Sequence, residues 1–145
     1  MKNYIKHDPW CIIEEGWHPE ENKITESLMS LGNGRMGQRG NFEEKFTGET
    51  LLGNYVAGVY YPDKTRVGWW KNGYPEYFAK VLNACNWNGI HIKIGEEEID
   101  LHQAKNVTEF KRVMNMKEGT LYRTCVVELK SGKQLKIESL RFCSM

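Results

Sequence analysis

The adjacent acidic pairs Glu14-Glu15 and Glu43-Glu44 are the first residues in this chain with the chemistry of a general acid and base. Two carboxylates can divide those roles only if both reach the same reacting bond. On a strand, neighbouring side chains point to opposite faces, so neither pair is expected to share one site. Glu96-Glu97-Glu98 falls where a turn is expected and reads as a solvated acidic run. No Gly-x-Ser-x-Gly elbow occurs, and no serine or cysteine lies in a recognisable activated setting. The four histidines, His7, His18, His91 and His102, lack His-x-x-x-His spacing. The four cysteines, Cys11, Cys85, Cys125 and Cys143, form no Cys-x-x-Cys pair. No metal site is therefore expected, and the cysteines are expected as buried thiols rather than disulfides.

Two groups remain as candidates for recognition. The stretch Gly32-Asn33-Gly34-Arg35-Met36-Gly37-Gln38-Arg39-Gly40 lacks the Gly-Lys-Ser/Thr of a phosphate loop, and its glycines are spaced wrongly for a dinucleotide fingerprint. If extended, it places Arg35 and Arg39 on one face and Gln38 on the other. Guanidinium forks suit carboxylates and phosphates, so these arginines would contact a neighbouring domain or a substrate anion, or pair internally with Glu26, Glu43 or Glu44. The second group is Trp69, Trp70 and Tyr74. Their flat rings could stack on sugars or pack against a partner surface, where Trp and Tyr are enriched. The candidate substrate- or interface-facing residues are thus Asn33, Arg35, Gln38, Arg39, Glu43, Glu44, Trp69, Trp70 and Tyr74; no catalytic residue is assigned.

The elements that must hold these residues read mostly as strands. The chain has 145 residues, 40% of them hydrophobic and 27% charged, which suits one globular domain burying roughly two-thirds of its unfolded surface. Fourteen glycines fit an architecture of many turns. A net charge of +1 supplies no field for nucleic acid or an anionic membrane. No apolar run approaches a membrane span or a signal peptide, so a cytoplasmic location is expected.

Residues 10–15 read as a first strand, ended by Gly16. Residues 17–22 are turn-like, and 23–30 alternate moderately, with Ile24, Leu28 and Leu31 as apolar anchors. Residues 51–61 read as a strand and 62–77 as a long aromatic loop. Ile90, Ile92 and Ile94 alternate with His91 and Lys93, predicting a half-buried strand turned at Gly95-Glu96. The segments 110–116, 120–129 and 133–142 make an antiparallel meander, with Leu121, Cys125, Val127 and Leu129 on one face and a hairpin at Ser131-Gly132. Leu140 and Phe142 follow Ile137 out of phase, which predicts a bulge near Glu138 or Ser139. Strand after strand with no long helical pattern predicts an all-β antiparallel sandwich. The chain stops within or just past a strand, at Arg141-Phe142-Cys143-Ser144-Met145, which suggests a piece of a longer protein.

Specific motifs sharpen this reading. The run Glu26-Ser27-Leu28-Met29-Ser30-Leu31-Gly32-Asn33-Gly34-Arg35-Met36-Gly37-Gln38-Arg39-Gly40-Asn41-Phe42-Glu43-Glu44 resembles the amino-terminal signature of glycoside hydrolase family 65, the maltose, trehalose and kojibiose phosphorylases. Asn54-Tyr55-Val56-Ala57-Gly58-Val59-Tyr60, Val81-Leu82-Asn83-Ala84 with Trp87, the spacing Phe110, Arg112, Asn115, Met116, Gly119, Leu121, Arg123, and Arg141-Phe142 with Ser144 extend the resemblance over nearly the whole chain. Tyr60 to Arg66 and Pro75 to Tyr77 look most like maltose phosphorylase-type members. Arg35 departs from the pattern, since many members carry an aromatic there.

The resemblance implies a supersandwich of the galactose mutarotase-like type, truncated here, which precedes a catalytic (α/α)6 barrel absent from this chain. In the family, one glutamic acid of the barrel protonates the glycosidic oxygen while inorganic phosphate attacks the anomeric carbon with inversion. Phosphate is a co-substrate, and no other cofactor and no metal is implied. The partners implied are the barrel of the same chain, a second subunit in a homodimer and a disaccharide substrate. A free-standing carbohydrate-binding module is the alternative.

Overall fold

The computed structural model describes residues 4–66 and 75–144. Its elements run in chain order from β1 (Ile5–His7) and β2 (Cys11–Glu15), through a 3-10 turn at Pro19–Glu21, to helix α1 (Asn22–Leu28). Short strands follow: β3 (Leu31–Gly32), β4 (Met36–Gln38), β5 (Asn54–Val56), β6 (Tyr60–Lys64), β7 (Tyr77–Val81), β8 (Lys93–Ile94) and β9 (Glu97–Glu98). Three long strands close the described chain: β10 (Asn106–Asn115), β11 (Thr120–Glu128) and β12 (Gln134–Phe142).

The long strands form because polar and apolar residues alternate with the period of the pleat. On β10, Val107, Phe110, Arg112 and Met114 are buried, and on β11 Leu121, Arg123, Cys125 and Val127 are. The meander is antiparallel throughout, and β2 joins the free side of β10, giving the order β1-β2-β10-β11-β12. The turn before β11 is held by Asn115 Oδ1, which accepts from the amides of Lys117 and Glu118 at 3.1 and 3.2 Å. Gly132 turns the last hairpin, its amide donating to Leu129 O at 2.9 Å.

A second layer covers the inner face of this sheet. Phe42, Ile99 and Leu101 meet Val107, Phe110, Cys125, Val127 and Leu129 in the main core, with Trp17, Phe46, Ile92 and Ile94 packed around it. A smaller cluster joins Met29 and Leu31 to Met114 and Leu121. The all-β antiparallel sandwich expected from the sequence is the fold observed.

Several local expectations are corrected. Residues 22–28 form a helix, and the supposed anchors Ile24 and Leu28 are 54% and 48% exposed. The strand expected over 51–61 is split at Ala57-Gly58, where Gly58 takes a positive φ and Val59 N donates to Val56 O. The loop expected over 62–77 is shorter at both ends, since β6 runs on to Lys64 and β7 begins at Tyr77, the two pairing as a ribbon. The strand around Ile92 is reduced to Lys93–Ile94, with Ile90 exposed. The predicted bulge near Glu138 is absent, since β11 and β12 pair without interruption from Thr120↔Phe142 to Glu128↔Gln134. The irregularity lies in β10 instead, between Thr108 and Lys111, where Glu109 has a φ of 50°. On β12 the phase is kept by turning Ser139 and Arg141 inward, which leaves Leu140 and Phe142 outside.

Candidate functional site

The inner face of the main sheet carries charges as well as apolar side chains. Arg112 occupies an inward position between Phe110 and Met114, and its side chain is only 2% exposed. Its Nε donates to Glu14 Oε2 at 2.5 Å, and its terminal nitrogens donate to Gly40 O at 3.1 Å and Asn22 Oδ1 at 3.2 Å. The guanidinium lies over the rings of Phe42 and Phe110, at 4.8 and 5.4 Å from their centres. A buried arginine is tolerable only when its donors and charge are answered in this way.

Arg123 repeats the arrangement one strand along. It grips Glu44 through two parallel bonds of 2.5 and 2.6 Å and donates to Glu43 Oε2 at 2.8 Å. Glu43 also receives Ser139 Oγ at 3.2 Å and lies 2.7 Å from Arg141 Nε. Arg141 in turn donates to the carbonyls of Arg39 and Asn41. The two neighbouring carboxylates therefore do share one site, against the expectation from strand alternation. Residues 43 and 44 lie in a bend rather than a strand, so both can aim at the same guanidinium.

Helix α1 supplies a third hub. Glu26 is fully buried and accepts from Asn41 Nδ2 and Thr50 Oγ1, both at 2.8 Å, from Asn22 Nδ2 at 3.2 Å and from the amide of Leu51 at 2.5 Å. Arg39 lies 3.7 Å from Glu26 and donates to Lys23 O and Ser27 Oγ. Gly40 passes so close to the helix that a Cβ there would stand 2.9 Å from Met29 O. The close backbone approach of the glycine-dense stretch is thus made to its own helix at Gly40.

The remaining candidates are placed as follows. Asn33 closes the β3–β4 hairpin, its Oδ1 accepting from the amides of Arg35 and Met36 at 3.0 and 2.9 Å while its Nδ2 donates to Ser144 O at 2.5 Å. Gln38 belongs to an amide cluster, accepting from Asn88 Nδ2 at 2.5 Å and donating to Cys143 Sγ at 3.2 Å. Arg35 does not share a face with Arg39, because it lies in the hairpin turn; it is exposed, with no ion pair among the described residues. Trp69, Trp70 and Tyr74 fall outside the described residues.

The electrostatics of the hubs run away from neutrality. Burial alone would raise the Glu43 carboxyl, but Arg123 and Arg141 outweigh it and hold it below the usual carboxylate range. Burial likewise opposes the Arg123 charge, and Glu44 and Glu43 reverse that, holding the guanidinium more firmly charged. Burial pushes the Cys125 thiol up to about 11, which removes it as a nucleophile. Near the surface, hydrogen bonds from Lys45 and then His91 bring Glu98 down to about 2. A general acid or base works best with a pKa near the working pH, and these groups are driven the other way.

A cleft of about 230 Å³ opens beside the hubs, lined by Asn41, Glu43, Glu44, Thr50, Asn86 and His91 among others. Its polar walls are already engaged: Asn41 with Glu26 and Gly53, Asn86 with Asn54 and Asn88, and His91 with Glu98. The arrangement can fix a fold, and it offers a sugar few free partners. Among the described residues no group of three or more His, Cys, Asp or Glu side chains is placed to hold a metal ion. Among them, too, no helix is long and apolar enough to cross a membrane.

Sequence reasoning named Glu26 as an internal partner, which Arg39 takes up at 3.7 Å, and weighed Glu14 only as half of an acid–base pair; it missed Asn22, Asn41, Arg112, Arg123 and Arg141 as site residues. A signal existed for two of them, since Arg112 and Arg123 keep the parity of the buried residues around them.

Comparison with known proteins agrees with this description. The family model for the N-terminal domain of glycosyl hydrolase family 65 matches residues 12–145. The chain is 51% identical over 138 residues to a maltose phosphorylase of Bacillus subtilis (strain 168), covering 95% of this chain and 18% of that protein. It is 33% identical over 144 residues to a kojibiose phosphorylase of Thermoanaerobacter brockii, covering 99% and 17%. A solved structure described as a putative kojibiose phosphorylase from the human microbiome superposes with a TM-score of 0.77 at 28% identity, covering 94% of this chain and 18% of that one. The chain thus spans less than a fifth of the length of these relatives.

Proposed function

Because this chain belongs to glycosyl hydrolase family 65 and matches its N-terminal domain, we propose that it serves as the non-catalytic front domain of a maltose-type phosphorylase. In this reading it braces a catalytic (α/α)6 barrel and the dimer built around it, in the cytoplasm. The barrel supplies the acid that protonates the glycosidic oxygen, and inorganic phosphate is the co-substrate. One observation carries the reading: the carboxylates beside the cleft are clamped by Arg123 and Arg141 and spent on the fold. A domain whose carboxylates are engaged by its own arginines contributes shape rather than proton transfer.

The test is a titration of the purified chain with maltose, followed by tryptophan fluorescence. No saturable change is expected up to millimolar sugar. A saturable change would instead make the chain a carbohydrate-binding module in its own right.

A further inference from the structure

Among the described residues the ribbon formed by β6 and β7 belongs to no larger sheet, and nearly all its residues are exposed. A two-stranded ribbon is marginal alone in water and needs cover on an apolar face. The two faces of this ribbon differ. Pairing puts Tyr60 with Val81, Pro62 with Ala79 and Lys64 with Tyr77 on one face, and Tyr61 with Lys80 and Asp63 with Phe78 on the other. The second face carries its own ion pair, Lys80 to Asp63 at 3.2 Å. The first face carries no carboxylate.

That first face runs into a groove of about 400 Å³, lined chiefly by Met36, Val56, Val59, Tyr60 and Val81 with Arg35 at its rim. Tyr60 and Val81 remain 56% and 60% exposed there. The continuous surface is therefore apolar in its middle, with the Arg35 cation at one end and the Lys64 cation at the other. Neither cation has an ion pair among the described residues, whereas Arg39 is engaged with Glu26.

We propose that this groove and the first face of the ribbon seat a segment of the longer polypeptide that follows this domain, an apolar surface carrying a carboxylate opposite Arg35; the inference rests on the function proposed above. Two features select this occupant. The relatives are more than five times as long as the stretch matched here, so most of such a protein lies outside it. A second copy fits worse, because a two-fold contact centred on the apolar middle would set Arg35 of one copy against Lys64 of the other with no carboxylate to answer them, and like charges in an interface repel. A sugar fits worse too, since the walls offer few polar groups to its hydroxyls.

The experiment uses the full-length polypeptide with the photoreactive residue p-benzoylphenylalanine installed at Val81, and separately at Leu140 on the outer face of the main sheet. Irradiation is expected to link position 81 to a peptide from beyond residue 145 of the same chain. Arg35→Glu should reduce that yield at least threefold, and Arg35→Lys should keep most of it. A link from position 81 to a second copy, or no link from position 81 while position 140 reacts with the remainder, overturns the inference and leaves the proposed function standing. No link from either position overturns both. An unchanged yield in Arg35→Glu removes the carboxylate from the account.

Discussion

Replacing Arg123 with leucine is expected to destabilise the chain by about 3–5 kcal/mol, the usual cost of stripping the partner from a buried charge. The reason is the pair left behind. Glu44 has a side chain only 1% exposed, and both its oxygens are held by Arg123. Glu43 would keep Arg141 and Ser139, so the larger part of the loss falls on Glu44. Against a typical total stability of about 5–15 kcal/mol, such a loss would leave much of the chain unfolded at 37 °C. Urea unfolding followed by circular dichroism measures it. The double variant Arg123→Leu, Glu44→Leu should recover a substantial part, because it removes the stranded anion together with its partner. A cost below about 1 kcal/mol for Arg123→Leu alone would be the value of an exposed pair and would contradict the burial described here.

Glu26→Ala is expected to cost about 3 kcal/mol, since unsatisfied buried donors cost about 1–3 kcal/mol each and partial hydration relieves some of them. Four donors converge on that carboxylate, from Asn22, Asn41, Thr50 and the Leu51 backbone. Together they tie helix α1 to the segment that leads into β5. The loss should therefore be local before it is global. Hydrogen exchange at the Leu51 amide should accelerate by an order of magnitude or more, while amides in the middle of β11 change only with overall stability. Glu26→Gln should fall between, because it keeps one acceptor oxygen but turns an NH₂ group toward other donors. Uniform acceleration across β11 and Leu51 would mean that Glu26 stabilises the fold without acting as a local clasp.

How far these features could be read from the sequence depended on what alternates. The meander from β10 to β12 was legible because Phe110, Met114, Leu121, Cys125 and Val127 recur with the period of a strand and are buried. Arg112 and Arg123 are legible in position, on the parity of Phe110, Met114, Leu121 and Cys125, but nothing in their charge signals that they are buried. Helix α1 was hidden for a sharper reason. The residues it buries, Asn22, Thr25 and Glu26, do have helical spacing but are polar, while its apolar Ile24 and Leu28 face outward. A pattern search that follows apolar residues finds the wrong face. The misplaced bulge on β12 has the same origin: Leu140 and Phe142 are expected inside, but Ser139 and Arg141 hold the inner positions, where Ser139 donates to Glu43 and Arg141 pairs with its charge. The convergence of Glu43 and Glu44 could not be read locally at all, since it depends on a bend and on a guanidinium some 80 positions away.

The family resemblance was legible because it rests on glycines, asparagines and charges that serve this internal network. Gly40 approaches the helix, Asn41 binds Glu26, and Glu43 and Glu44 hold Arg123. The signature therefore marks how the domain is built rather than a reacting centre.

The most direct measurement is phosphorolysis by the purified 145-residue chain supplied with maltose and inorganic phosphate, beside the full-length polypeptide under the same conditions. A domain whose acids are clamped by its own arginines should release no glucose phosphate above the buffer blank, while the longer chain releases it steadily. Sustained release by the short chain, abolished by substitution of a residue within it, would contradict the account at its base.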